Sequence, residues 1–74
     1  MRTSLEITYK TFRLRSKFIE RTEEELSILK EVCIQAVKGN TDILEIVSNH
    51  GDLYYISRKI LVKSIICVKY EEQL

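Results

Sequence analysis

A chain of 74 residues with 45% apolar and 31% charged side chains and a net charge of +1 has the make-up of one globular domain. No apolar run approaches the roughly 18 residues a membrane helix needs, and the alternating start MRTSLEITYK lacks the continuous apolar stretch of about 7–15 residues that directs secretion, so a cytoplasmic protein without membrane contact is expected. A domain this small buries only about 60% of its unfolded surface, and one core seldom supplies more than about 3–5 kcal/mol, which favours a homodimer or higher oligomer.

The elements follow in chain order. In SLEITYKTFRLRSKFI, Leu5, Ile7 and Tyr9 share one face of a strand and Glu6, Thr8 and Lys10 the other. The phase then switches to Phe12 and Leu14, as a β-bulge or a tight turn would cause. A bent strand is expected rather than a hairpin at Lys10–Thr11, because no glycine, asparagine or aspartate is there to make a tight turn. Its second half puts Arg13, Arg15 and Lys17 on one face.

TEEELSILKEVCIQAVKGN reads as a helix over about Glu23–Lys38. Thr22 and Glu25 have capping-box spacing, three glutamates oppose the positive helix end, and Gly39 supplies a left-handed stop. Its apolar arc (Leu26, Ile28, Leu29, Val32, Cys33, Ala36, Val37) is wide enough to be buried on two sides, in a core and against a second subunit. TDILEIVSN is a strongly apolar strand, NHGD a turn with Gly51 at positive φ, and LYYIS the return strand. RKILVKS interrupts the alternation as a helical turn or a bend, and IICVKYE resumes it, with Ile66, Val68 and Tyr70 opposite Ile65, Cys67 and Lys69. With no proline, linker or repeat, residues 1–74 form a single α+β domain of order β-α-β-β-β, one helix on a curved antiparallel sheet.

The residues offer little to catalysis. Two glycines exclude a phosphate-cradling loop, and one histidine, His50, limits acid–base chemistry near neutral pH. Cys33 and Cys67 are too few and too far apart for a zinc site and read as buried free thiols. No enzyme, cofactor or metal is expected.

Charge is uneven along the chain. Residues 1–21 carry six Lys/Arg against two acids, residues 22–52 two against seven, and residues 53–74 four against two. Such asymmetry suits attraction between subunits or a strip that binds phosphate. The segment YYISRKILVKSIICV is similar in layout to the last strands of Sm-like and SH3-like barrels, where a return strand, a short connector and a closing strand follow one another. In Sm-like proteins that region mediates ring formation and contributes to RNA binding. The likeness covers only this segment and rests on no invariant motif; a helix after the first strand, and four strands where that fold has five, set the chain apart from it.

The function expected is that of a non-enzymatic interaction or regulatory protein, such as a bacterial or phage accessory or inhibitor factor, that binds another protein by occlusion or tethering. Its contact residues would be Arg13, Arg15 and Lys17 with Tyr54 and Tyr55, since adjacent strand residues point to opposite faces and one tyrosine must leave the core. The alternative is a nucleic-acid-binding module using the basic N-terminal strand, with aromatics for stacking.

Overall fold

The computed structural model describes residues 1–72 and gives the order β-β-β-α-β-β-α-β. Strand β1 (Arg2–Tyr9) is the axis of the first sheet. It pairs on one side with β2 (Phe12–Arg15) and β3 (Ile19–Glu20) and on the other with β6 (Ile65–Tyr70), all antiparallel. Strands β4 (Ile43–Val47) and β5 (Leu53–Ser57) form a second, two-stranded antiparallel sheet. Helix α1 (Glu23–Lys38) joins β3 to β4, and the single turn α2 (Arg58–Leu61) joins β5 to β6.

The bent strand expected at Lys10 is a hairpin instead. Tyr9 pairs with Phe12 across a turn at Lys10–Thr11, and Lys10 takes the left-handed conformation at φ 54°. That conformation costs an L-residue roughly 1–2 kcal/mol. The ladder it closes offsets the cost: Leu14 comes opposite Ile7, both buried, and a buried aliphatic side chain contributes about 1.5–3 kcal/mol. The switch of phase at Phe12 is this turn. A bulge is present as well, further on: Ser16, Lys17 and Phe18 stand opposite only Ser4 and Leu5, so the pairing shifts by one residue between Glu6↔Arg15 and Thr3↔Ile19. The expected order β-α-β-β-β therefore gives way to three strands before the helix, in two sheets.

Both ends of α1 are as the sequence predicts. Thr22 Oγ1 accepts from the Glu25 amide at 3.1 Å and the Glu25 carboxylate accepts from the Thr22 amide at 2.9 Å. At the far end Gly39 lies at φ 86°, and the amides of Gly39 and Asn40 donate to Ala36 and Gln35. The wide apolar arc is only partly covered: Leu26 and Ala36 are buried, Leu29, Val32 and Cys33 half-buried, and Ile28, Ile34 and Val37 exposed.

The core is Leu5, Ile7, Leu14, Ala36, Ile46, Ile56 and Leu61, with Cys33, Leu44, Tyr54, Ile66 and Val68 packed against it. It draws on both sheets and both helices. Among the described residues the backbones of the two sheets pair at one isolated bridge, Ser16↔Ser48, beside which the Asn49 amide donates to the Arg15 carbonyl at 2.8 Å. The free thiols divide: Cys33 is half-buried, while Cys67 is exposed rather than buried, because it pairs with Glu6 on the outward face of β6. No helix among the described residues is long and apolar enough to cross a membrane.

Candidate functional site

The outward face of the first sheet gathers charge around one acid. Glu6, only 8% exposed, sits on β1 between β2 and β6. Arg15 grips one of its carboxylate oxygens through Nε at 3.1 Å and a terminal nitrogen at 2.8 Å, with Lys69 Nζ at 3.8 Å and Arg13 Nε at 4.0 Å. The Arg15 hydrogen bond holds the Glu6 carboxyl below the usual glutamate range, outweighing the opposing effect of burial, and the charges of Lys69, Arg15 and Arg13 add to it. Three cations on one carboxylate leave this face positive.

Arg13, Arg15 and Tyr54 converge on a cleft of about 250 Å³ between β2 and the β4–β5 turn, which Phe12, Asn49 and His50 also line. The Phe12 and Tyr54 rings lie 6.1 Å apart at 57°. Ser48 Oγ shapes the turn by accepting from the His50 and Asp52 amides. Lys17 belongs elsewhere, on the bulge. It lines an adjoining cleft with Arg2, Arg15 and Phe18.

Tyr55 is on a different surface. Along β4 and β5 the residues Leu44, Ile46, Tyr54 and Ile56 face inward, and Ile43, Glu45, Val47, Leu53 and Tyr55 outward. Of these, Ile43, Val47, Leu53 and Tyr55 are between 48% and 64% exposed. Glu45, opposite Tyr55, is the one charged side chain among them. The alternation of the two tyrosines follows from strand geometry and is as the sequence implies. The exposure of Ile43 and Val47 on β4 carries no such signal, because an apolar strand can equally be buried on both faces.

A further apolar slot, of about 390 Å³, opens between β3, α1 and β4. Its floor is Leu5, Leu29, Val32, Leu44 and Ile46, and Lys17 and Arg21 stand at its rim. Nothing in the sequence points to it, since it is assembled from three elements distant along the chain. Comparison with protein-family models, curated proteins and solved structures finds no match to this chain.

Proposed function

We propose that the chain is a non-enzymatic interaction module that binds another protein and works as an oligomer, with the outward face of β4–β5 as its contact surface. The supporting observation is the group of four large apolar side chains, Ile43, Val47, Leu53 and Tyr55, left in water on one two-stranded face. Covering such a face gains about 25 cal/mol per Å² of apolar surface, and a tyrosine at its centre is a typical energetic anchor. Binding there would act by occlusion or tethering.

The test is affinity capture and light scattering with the wild type and with Tyr55→Arg and Val47→Glu. Both positions are exposed and outside the core, so thermal unfolding should be unchanged. Capture of the partner or of a second copy should weaken by about tenfold or more. Undiminished capture with both variants would remove this face from the mechanism.

A second reading, nucleic-acid binding, is favoured by the cleft that joins Arg13 and Arg15 to the Phe12 and Tyr54 rings. It requires co-purifying nucleic acid that salt strips away, and loss of binding in Arg13→Glu.

A further inference from the structure

We infer that the slot between β3 and β4 accepts an extended, acidic segment of a partner protein as an added strand. This deepens the protein-binding reading above and rests on it. The argument begins with backbone groups. In the β4–β5 hairpin the Ser48 amide donates to the Asp52 carbonyl and the Arg58 amide to the Asp42 carbonyl, both at the even-numbered positions of the β4 side. Hydrogen-bonded and non-bonded pairs alternate in an antiparallel ladder. The N–H and C=O groups of Ile43, Glu45 and Val47 therefore point away from β5, toward the slot.

The facing strand is arranged in the same way. The Arg21 amide donates to the Met1 carbonyl, so Glu20, one residue earlier, turns its own backbone groups away from β1. Among the described residues β3 pairs only with β1 and β4 only with β5. The Ser16↔Ser48 bridge closes one end, and beyond it the two edges stand unpaired over an apolar floor. An extended segment laid between them would bond through its main chain and point alternate side chains at Leu5, Leu29 and Val32.

Charge selects the partner. Neither Lys17 nor Arg21 at the rim is within ion-pair distance of a carboxylate among the described residues. Arg21 is instead fixed by hydrogen bonds to the carbonyl and hydroxyl of Thr3. The one acid in the lining, Glu45, belongs to the outward-facing set of β4. The strands of a second copy are a poor match, since each is already paired along at least one edge, and β2 with Arg13 and Arg15 and β6 with Lys69 carry the same sign as the rim. A different chain, with alternating apolar side chains and acidic residues between or beside them, satisfies the edges, the floor and the rim together.

The experiment is selection from a phage-displayed library of random linear peptides on the folded protein, followed by titration of an enriched synthetic peptide into isotope-labelled protein. Enriched sequences should alternate apolar residues and contain acids. The peptide should shift and protect the amides of Ile43, Glu45 and Glu20. Lys17→Glu should weaken it about tenfold, while Tyr55→Arg leaves it unchanged. No enrichment, enrichment of basic or helical sequences, or shifts confined to other residues would overturn the inference. Loss of partner capture in Tyr55→Arg alongside a silent slot would sink this inference and leave the interaction module standing. A peptide that fills the slot while every outer-face variant captures normally would do the reverse to the β4–β5 face.

Discussion

Glu6 shows how one residue's burial is decided by its neighbours across the sheet. An acid on a central strand would ordinarily need solvent, and here Arg15, Lys69 and Arg13 replace it. Because its folded-state value is depressed below the ordinary value near 4.5, Glu6 contributes stability that is full above that range and is lost as pH falls through the lower folded value. Glu25 is depressed as well, by its backbone and side-chain bonds with Thr22, so both carboxylates act in the same acidic window. Urea midpoints measured from neutral pH downward should fall through that window in the wild type. Glu6→Gln should lower the plateau and flatten the fall, leaving the part due to Glu25. A fall of unchanged slope would show that the cluster contributes nothing to stability. The Cys33 thiol is set by its surroundings too: burial, with a smaller addition from Cys67, pushes it up.

At the scale of elements, α1 is the one whose ends carry their own instructions. Thr22→Ala removes one leg of the capping box and should cost about 1 kcal/mol in a urea titration. Gly39→Ala should cost at least as much. The left-handed position disfavours a Cβ by about 1–2 kcal/mol, and that Cβ would stand 3.3 Å from Val62 Cγ1. Variants with unchanged midpoints would mean that packing alone holds the helix. These signals are local, which is why the boundaries Glu23–Lys38 and the turn at Gly51 are readable from the residues themselves. The hairpin at Lys10–Thr11 is not, because its left-handed residue is a lysine and only the ladder beyond it makes that conformation worthwhile. The two-residue β3 is equally hidden, since its register depends on the bulge at Ser16–Phe18. Among the proposed contact residues, the opposed directions of Tyr54 and Tyr55 follow from alternation. The separation of Lys17 from Arg13 does not, and neither does the gathering of three cations on Glu6, for each requires knowing which strand lies beside which.

Across the whole molecule the two sheets are unequal in how they are held. Strand β1 is paired along both edges, with β2 and β3 on one side and β6 on the other, whereas β4 and β5 are joined to the first sheet through the core, the Ser16↔Ser48 bridge and the Asn49–Arg15 bond. Local opening follows such differences in backbone pairing and burial. Amide hydrogen exchange should accordingly be slowest along β1, at Glu6 and Ile7, where release requires global unfolding. In β4 it should alternate: Leu44 and Ile46, bonded to β5, are protected, and Ile43 and Glu45, whose N–H groups face the slot, exchange faster by orders of magnitude. The alternation discriminates between an open slot and a closed one. If the Glu45 amide were as slow as that of Ile46, the β4 edge would already be covered in the free protein. An incoming strand would then find no donors to pair with. If Glu45 is fast, the unpaired β4 edge offers main-chain hydrogen bonds over the apolar floor of the slot, and a partner that makes them ties the two sheets together.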